Sequence, residues 1–310
     1  MLKVNETQKS CVVLLASFNG GSWISKQMDS IFEQKGVDVS LIVSDDSSSD
    51  LTVSIIQEIQ WPEIKIIQHA SSTGSAGQNF FSLFRNIDVS PYQFVSLSDQ
   101  DDVWLPSKLE KAIYYLQESR ASGYSSSVNA FWPDGKEKIL HQSPNVTCAD
   151  FLFEGAGQGC TFVLTADFFR KVQKFCIENE EVTKNFYYHD WLVYLLSRCW
   201  GEKWFFDDRP GMSYRQHSDN DTGARSGYSS FLRRINLIAN GWYKGQIEVA
   251  IELSKICGDK NISVARVDGF MNSKKTLSQR LSFALFIGRF GRRKLMDRLV
   301  LAFSVLVGWI

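Results

Sequence analysis

Apolar and polar positions follow two alternating patterns over the first third of this 310-residue chain. Short, almost uninterrupted apolar runs predict strands that are buried on both faces of a sheet. These runs span residues 11–16, 39–43, 64–67 and 92–97. Between them, apolar residues recur at helical spacing, as Ile24, Met28 and Ile31 do. Strand and helix therefore alternate four times, which predicts an α/β fold of right-handed βαβ units around a mostly parallel sheet flanked by helices.

Carboxylates gather where these predicted strands end. Asp99, Asp101 and Asp102 directly follow the fourth apolar run, and Pro106 then opens a helix. Open α/β sheets bind ligands at the carboxyl ends of their strands. A divalent cation would offset the mutual repulsion of these side chains, and oxygen-rich sites suit Mg²⁺ or Mn²⁺. For an Asp-x-Asp sequence taken alone, a solvated turn with a capping Asp is the plainer interpretation.

Two common nucleotide-binding patterns are missing from the sequence. The turn after the first strand, residues 18–23, is FNGGSW rather than G-x-G-x-x-G, which disfavours a dinucleotide fold. The chain has no G-x-x-x-x-G-K-[ST] segment, and hence no P-loop. A sugar nucleotidyltransferase is also disfavoured, because it needs an early basic residue after the first strand and the first here is Lys26, inside the helix.

The amino-acid composition limits the possible cellular location and the possible binding partners. The chain has 34 Lys and Arg residues and 34 Asp and Glu residues, so its net charge does not favour binding to nucleic acid. The six cysteines form no C-x-x-C pair, which predicts reduced thiols and a reducing compartment. Residues 1–10 are polar and lack the apolar core of a signal peptide. We therefore expect a cytoplasmic protein.

The order and spacing of three motifs resemble those of the family 2 glycosyltransferases, and most closely a bacterial, rhamnosyltransferase-like branch. The resemblance covers roughly residues 11–225. Its motifs are Ala-Ser-Phe-Asn-Gly at 16–20, Asp-Asp-Ser-Ser-Ser-Asp at 45–50 and Asp-Gln-Asp-Asp at 99–102, the last followed by Val-Trp-Leu-Pro. The family has the GT-A fold, a Rossmann-like, mostly parallel sheet flanked by helices.

The resemblance implies a role for several residues on the donor side. Asp46 would accept hydrogen bonds from the nucleotide base, and Asp99 would serve the ribose. Asp101 would bind Mn²⁺ or Mg²⁺ at the donor diphosphate, which agrees with the need to stabilise a leaving group that develops negative charge. The first turn, which holds Ser17, Phe18 and Asn19, would flank base and ribose. Phe18 replaces the commoner Tyr, so stacking survives while a phenolic hydrogen bond is lost.

The resemblance also implies an acceptor side in the second half of the chain. Gly157 and Gly159 belong to a glycine-rich segment at 151–163, which permits close backbone approach to a ligand or, equally, a tightly packed strand. Asp190 precedes an apolar helix at 191–200. The residue types favour a helix N-cap, whereas the resemblance implies a catalytic base, and one side chain can do both. Trp104 and Trp191 are expected to line the acceptor side.

A polar stretch at 205–221 completes the expected site. Arg215 and His217 lie two residues apart, so they share a face if the chain is extended. His217 is either the remaining protein ligand of the metal or a diphosphate contact together with Arg215. Asn220, with Thr222 and Gly223, is expected to belong to a loop that orders over the donor.

The remaining residues predict a helical appendage. We divide the chain into a catalytic domain at 1–225 and a helical region at 226–310. Residues 281–310 are apolar but interrupted by basic residues, and neither apolar part reaches the roughly 18 residues of a spanning helix. A helix lying in the plane of a membrane surface and a hairpin packed on the catalytic domain or on a second subunit remain alternatives. The basic residues are Arg289, Arg292, Arg293, Lys294 and Arg298.

Taken together, these features predict a metal-dependent, inverting glycosyltransferase that uses a nucleotide-diphospho-sugar. The donors considered are dTDP-rhamnose and a UDP-sugar, and the expected acceptor is a lipid-linked glycan or oligosaccharide in bacterial surface polysaccharide synthesis (O-antigen or capsule), at the inner face of the cell membrane. The alternative functions are a non-catalytic nucleotide-sugar or glycan-binding module on the same fold and a sugar nucleotidyltransferase. Homo-oligomerisation stays open.

Overall fold

A computed structural model describes residues 9–217 and 235–310, and one nine-stranded sheet organises them. The strand order is β3-β2-β1-β4-β8-β6-β9-β5, and β7 pairs with β6 outside this path. The strands are β1 Lys9–Ser17, β2 Val37–Asp45, β3 Ile64–Gln68, β4 Phe94–Ser98, β5 Val103–Trp104, β6 Gly123–Phe131, β7 Glu137–Leu140, β8 Val163–Thr165 and β9 Trp204–Arg215.

The first four strands confirm the predicted α/β alternation. They are mutually parallel, in the order β3-β2-β1-β4, and each crossover carries a helix. Ser17 lies opposite Asp45, and Leu15 lies opposite Ser98, so the carboxyl ends of three strands meet at one edge. The helices of residues 9–217 are α1 Ile24–Phe32, α2 Thr52–Glu58, α3 Ala76–Asn86, α4 Lys108–Ser119, α5 Ala166–Glu178, α6 Glu180–Thr183 and α7 His189–Cys199.

The second half of the sheet is mixed. β8 runs antiparallel to both β4 and β6, whereas β6 and β9 are parallel to each other with two register irregularities. β6 occupies a stretch that the sequence pattern left unassigned, because its Ser125, Ser126 and Ser127 carry no apolar signal although all three are fully buried. Thr165 caps α5 as its sequence predicts, since its side chain accepts a hydrogen bond from the Phe168 N–H.

Two hydrophobic clusters cover the two faces of the sheet. One contains α1 and α4 and includes Ile24, Met28 and Leu109. The other contains α3, α5 and α7 and includes Phe80, Phe84 and Tyr194. Because both faces are covered, the central strands are buried along most of their length, as parallel strands require.

The C-terminal helices extend the second of these clusters. Ile247, Phe283 and Val305 all belong to the same buried cluster as α3 and α7, so this part of the chain packs on the sheet domain. Within the described ranges, every helix falls short of the length and apolar character that a bilayer span needs. The helices are α8 Trp242–Ile256, α9 Ile262–Met271, α10 Leu277–Phe290 and α11 Leu295–Val307. The predicted division at residue 225 stays a prediction.

Candidate functional site

The turn after β1 lies at the strand-end edge and is held from two sides. The Gln100 side chain makes two hydrogen bonds to the backbone of Phe18. Its oxygen accepts from the Phe18 N–H and its amide donates to the Phe18 carbonyl, both at 2.8 Å. Asn19 adopts a positive φ of 49°, and its side-chain oxygen accepts from the Ser49 N–H at 2.9 Å. The Phe18 ring is left 50% exposed, so a base or a ribose could stack on it.

Two aspartates end β2 and take different partners. Asp45 is buried and accepts from the hydroxyl of Ser17 at 2.9 Å. Asp46 is 4% exposed, and its carboxylate accepts from the Ser72 hydroxyl at 3.1 Å and from the Thr73 N–H. Asp45 therefore stabilises the turn itself. Asp46 lies where the loop at 71–75 meets the strand edge, which is the position expected of the base-binding residue.

The aspartates after β4 differ in their surroundings. Asp102 is 1% exposed, and one of its oxygens, Oδ2, has no hydrogen-bond partner among the described residues. Burial, followed by the charges of Asp101 and Asp99, raises the pKa of Asp102 well above its usual range. Its other oxygen accepts from the Arg215 N–H at 3.2 Å, so Asp102 anchors the end of β9.

His217 and Asp101 meet at this edge although 116 positions separate them in the sequence. Nε2 of His217 lies 2.6 Å from Oδ2 of Asp101. The His217 ring stacks on Trp23, with ring centroids 4.3 Å apart. Arg215 donates from Nε to the Asp101 carbonyl at 2.8 Å, and its guanidinium lies over the Phe131 ring. The sequence hypothesis that Arg215 and His217 act near Asp101 thus agrees with where the structure places them.

A second set of metal-ligand atoms lies in the same Asp99–Asp102 segment. Ligand atoms of Asp99, Asp102 and Cys160 all lie within 4.8 Å of one another. Cys160 is 1% exposed, and burial, followed by the charge of Asp102, raises the pKa of its thiol well above the ordinary value. Among the described residues, those that could hold a cation at this edge are Asp99, Asp101, Asp102, Cys160 and His217.

Asp190 lies at the start of α7, next to the glycine-rich segment. The helix begins at His189 with Tyr188 as its N-cap, so Asp190 is the second helical residue and the sequence interpretation of a plain N-cap is wrong. Its Oδ1 accepts from the N–H of Trp191, its neighbour, at 2.7 Å. A carboxylate in the first turn of a helix is favoured in its ionised form.

Glycines allow the backbone to approach Asp190 closely. A side chain at position 159 would lie 3.1 Å from the Asp190 Cβ and 2.6 Å from Nε2 of His189. At position 155 a Cβ would lie 3.2 Å from the backbone of Trp191. Gly157 instead has a φ of +120° and faces the side chain of Gln142. Gly159 and Gly155 thus pack directly against the start of α7 beside Asp190, and the acceptor role of Gly157 and Gly159 stays a prediction.

The two tryptophans expected on the acceptor side lie elsewhere. Trp104 is 2% exposed and packs in the cluster with α1 and α4, under the Lys108 ammonium group at 3.2 Å. Trp191 is 3% exposed, and its indole N–H donates to the Phe151 carbonyl at 2.7 Å. Both indoles therefore support the site from the core and do not line its surface. Asn220 lies outside the described residues.

Sequence reasoning missed three residues of this edge. They are Gln100, which occupies the variable position of Asp-x-Asp, Trp23, which follows the first turn, and Cys160, one of the six thiols. Only Gln100 carried a usable signal, since a side chain inside a ligand-binding turn points to the same edge as its neighbours. The contacts of Trp23 and Cys160 depend on residues 58 or more positions away.

Comparisons with known proteins agree with this geometry. Residues 12–191 match the model of the glycosyl transferase family 2. Over 236 residues the chain is 37% identical to the dTDP-rhamnosyl transferase RfbG of Shigella flexneri, which covers 75% of this chain and 82% of that protein. It is 24% identical over 232 residues to a GalNAc(5)-diNAcBac-PP-undecaprenol beta-1,3-glucosyltransferase of Campylobacter jejuni, with 73% and 72% covered.

Solved structures share the fold at low identity. S. aureus TarS in complex with UDP-GlcNAc matches with a TM-score of 0.53 and 14% identity, over 97% of this chain and 91% of that one. The mannosyltransferase PcManGT of Pyrobaculum calidifontis, in complex with GDP-Man and Mn²⁺, matches with a TM-score of 0.51 and 11% identity, over 96% and 84%. With the family match over more than half of the chain, the binding-module and nucleotidyltransferase alternatives fall away: the chain belongs to glycosyltransferase family 2 and is a GT-A glycosyltransferase of polysaccharide biosynthesis.

Proposed function

We propose that this enzyme transfers rhamnose from dTDP-rhamnose to a hydroxyl of a lipid-linked glycan, in a metal-dependent reaction that inverts the anomeric centre. The observation that carries the proposal is the contact between Asp101 and His217 at the carboxyl end of β4. It joins an Asp-x-Asp motif to a distant imidazole at the edge where α/β sheets bind their ligands. The donor follows from the likeness to the rhamnosyl transferase.

The residues present fit a divalent cation. Asp101 supplies a carboxylate oxygen and His217 an imidazole nitrogen 2.6 Å apart, and Mn²⁺ accepts both ligand types. The buried Asp102 oxygen, for which the described part of the chain offers no hydrogen-bond partner, lies in the same segment. When bound, the cation would neutralise charge on the donor diphosphate. We assign Asp101 and His217 as its protein ligands, with Asp99 at the ribose.

The first turn and Asp46 would hold the nucleotide. Phe18 offers an exposed ring for stacking, and its backbone is fixed by Gln100, so little side-chain order has to be gained on binding. Asp46 offers carboxylate oxygens at the loop of residues 71–75. Ser17 supports the turn through Asp45, and Asn19 through Ser49. Arg215 and Asn220 are proposed for the diphosphate and the donor loop.

Asp190 is the proposed general base. In the transfer step an acceptor hydroxyl oxygen forms a bond to the anomeric carbon while the bond from that carbon to the diphosphate oxygen breaks. The hydroxyl proton passes to Asp190, and the bonding electron pair leaves with the diphosphate. One displacement on the face opposite the leaving group inverts the anomeric centre.

The acceptor and its location follow from the relatives. The C. jejuni relative is named for a substrate linked to undecaprenol diphosphate, a lipid carrier. A carrier of this kind keeps the acceptor at a membrane surface, and a nucleotide-sugar donor is made in the cytoplasm. We therefore infer that the enzyme acts at the inner face of the cell membrane.

A donor panel tests the proposal directly. The full chain is incubated with dTDP-rhamnose, UDP-glucose, UDP-GlcNAc and GDP-mannose, each with Mn²⁺, with Mg²⁺ and with EDTA, and release of nucleoside diphosphate is measured. We expect turnover of dTDP-rhamnose with Mn²⁺ or Mg²⁺ and its loss in EDTA. Preference for another donor would overturn the assignment of rhamnose, and full activity in EDTA would overturn the metal role.

A further inference from the structure

The helical hairpin of α10 and α11 exposes a large apolar surface. On α10, Leu277, Leu281 and Leu285 are 78%, 54% and 70% exposed and follow one another at four-residue spacing. On α11 the exposed apolar side chains are Leu295, Met296, Leu299, Phe303, Leu306 and Val307. Single exposed apolar residues are ordinary in proteins, whereas contiguous patches mark interaction sites.

Both stripes lie on the same side of the hairpin. Each helix buries one face, through Phe283 and Ile287 on α10 and through Leu301 and Val305 on α11. At 3.6 residues per turn, the exposed stripe of each helix lies away from its buried face. A Cβ at Gly288 of α10 would lie 3.9 Å from the Ala302 Cβ of α11, so the two helices pack side by side, and we infer that their exposed stripes adjoin on the outward side. We call these nine side chains the hairpin face.

The charge around the hairpin face is strongly basic. Residues 274–310 contain eight basic side chains and one acidic one, Asp297. Of the eight, Lys274, Arg289 and Lys294 are exposed. Of the five basic residues at 289–298, Arg293 faces the protein interior: it is 5% exposed and donates to the Gly155 carbonyl at 2.7 Å.

Two more of those five residues also have partners within the protein. Arg292, which is half-buried, pairs with Glu154 at 3.1 Å. Arg298 donates to the carbonyls of Arg289 and Arg293 at 2.9 and 3.0 Å, within the hairpin itself. Arg292 and Arg293 therefore fasten the hairpin to the sheet domain, Arg298 stabilises the hairpin, and the exposed cations remain for a partner.

We propose that the hairpin face docks on the surface of an anionic phospholipid bilayer. Its apolar side chains would enter the headgroup boundary, and Lys274, Arg289 and Lys294 would meet lipid phosphates. Charge decides between this partner and a second copy of the chain. Two copies joined through this face would bring two basic surfaces together, which like-charge repulsion opposes, whereas an anionic bilayer complements them.

The placement of the hairpin relative to the site supports a bilayer. Its loop contacts Glu154 and Gly155, and Gly155 packs against the backbone of Trp191, next to Asp190. A bilayer on the hairpin face would therefore lie on the acceptor side of the enzyme. This last step rests on the proposed function, since it assumes a lipid-linked acceptor, while the docking surface itself does not.

The experiment measures binding of the full chain to vesicles without any substrate. Co-sedimentation is compared for vesicles of phosphatidylcholine alone and of phosphatidylcholine mixed with phosphatidylglycerol, at about 0.1 M and about 1 M salt. We expect binding to the anionic vesicles that weakens at high salt. The variant Leu281→Gln, Leu285→Gln and Phe303→Gln should lower the partition coefficient by at least about tenfold.

A matched control removes three other exposed apolar side chains, through Tyr114→Gln, Ile139→Gln and Ile177→Gln, and should bind as the parent does. Arg289→Gln with Lys294→Gln should weaken binding by roughly fivefold for each charge, at low salt only. All these side chains are exposed, so folding should survive, and thermal unfolding checks it. Truncation is unsuitable, because it would remove the buried Phe283 and Val305.

Three outcomes would overturn the docking surface. One is no binding of the parent chain to anionic vesicles, and another is equal binding by the triple variant and its control. The third is a dimer of the parent chain that the triple variant loses, which would make the hairpin face a subunit interface. Vesicle binding is measured without any enzymatic turnover. A negative vesicle result therefore does not affect the proposed function, and an inactive donor panel does not affect the docking proposal.

Discussion

Two groups of buried carboxylates in this protein have opposite electrostatic surroundings. Asp150 is fully buried and is bridged by Arg198 and by Arg293, and it also accepts from the Tyr194 hydroxyl at 2.7 Å. Glu154, its neighbour in the chain, pairs with Arg292 and Arg293. Every charge of this first group is met by a guanidinium group, so the group is complete within the protein.

In the second group, at Asp99–Asp102, the carboxylates lie next to other carboxylates. Burial together with the charges of Asp101 and Asp99 raises the pKa of Asp102. Among the described residues, the basic side chains near this group include Arg215 and the buried Lys108, whose own pKa burial lowers to about 7. A fully paired group stabilises the fold, whereas neighbouring carboxylates that repel one another at a strand edge are suited to bind a cationic ligand.

The comparison predicts that carboxylates at the site affect catalysis and that those bound by arginine affect stability. The largest expected effect is on turnover. Asp190→Asn keeps the size of the side chain and an oxygen for the Trp191 N–H but removes its basicity, so we expect kcat to fall by about 10²–10⁴-fold. Affinity for the donor nucleotide, measured by calorimetry, should stay unchanged. Near-normal turnover would leave Asp190 with a structural role alone.

The next effect is on stability. Arg293→Ala leaves Asp150 and Glu154 short of a partner in the interior, and breaking such a pair is expected to lower the free energy of unfolding by about 3–5 kcal/mol. Denaturant unfolding measures the change. Arg289→Ala, which removes an exposed guanidinium from the same hairpin, serves as the control and should change stability by less than about 0.5 kcal/mol. Equal losses would remove the distinction between buried pairing and surface charge.

Asp101→Ala should weaken ligand binding and leave stability almost unchanged, the reverse of what is expected for Arg293→Ala. Mn²⁺-dependent binding of a nucleoside diphosphate is expected to weaken by at least about tenfold, because a charged metal ligand is lost. The free energy of unfolding should change by less than about 1 kcal/mol, since the substitution also relieves repulsion with Asp102. The exposed Asp134→Ala controls for loss of one negative charge. A variant that binds Mn²⁺ and nucleotide normally would assign the metal to other residues.

The smallest expected effect comes from His189, which is half-buried and neutral beside Asp190. Burial lowers its pKa to about 3, and its Nε2 has no hydrogen-bond partner among the described residues. In the unfolded chain this imidazole binds a proton near pH 6.5, whereas in the folded chain it does not. The free energy of unfolding therefore decreases as pH falls below that value. At pH 5 the loss is roughly 2 kcal/mol relative to pH 7.

The measurement for His189 is the slope of unfolding free energy against pH. His189→Gln is neutral at every pH and should reduce this slope between pH 5 and 7. His141→Gln removes an exposed histidine and should leave the slope as it is in the parent. If both variants keep the parental slope, protonation of His189 is not linked to folding.

Several features of the fold could be read from the sequence, because their signals are local. Apolar runs identified the four parallel strands, and the turns that follow them identified the edge of Asp46 and Asp101. The carboxyl ends of adjacent parallel strands meet at one edge, so residues that end strands come together without any further information. The resemblance to the family then added Asp190 and His217.

Other features escaped the sequence because they depend on partners far along the chain. β6 has no apolar pattern in the sequence, because its buried serines donate hydrogen bonds to distant carbonyls, such as those of Ala156 and Asp207. Trp104 and Trp191 were expected at the acceptor because large aromatic side chains suit both cores and sugar sites. Packing against helices distant in sequence placed both in the interior.

Charge pairing shows most clearly what the sequence determines and what only the tertiary structure determines. The sequence shows which residues are acidic or basic and that strand ends concentrate aspartates, because composition and local spacing are properties of the chain itself. Which charges are neutralised depends on approach in three dimensions: Arg293 reaches Asp150 across 143 positions, and His217 reaches Asp101 across 116. Burial makes such pairing decisive, since an unpaired charge away from water is costly. Only the tertiary structure therefore separates the carboxylates that hold this protein together from those that are arranged for a ligand.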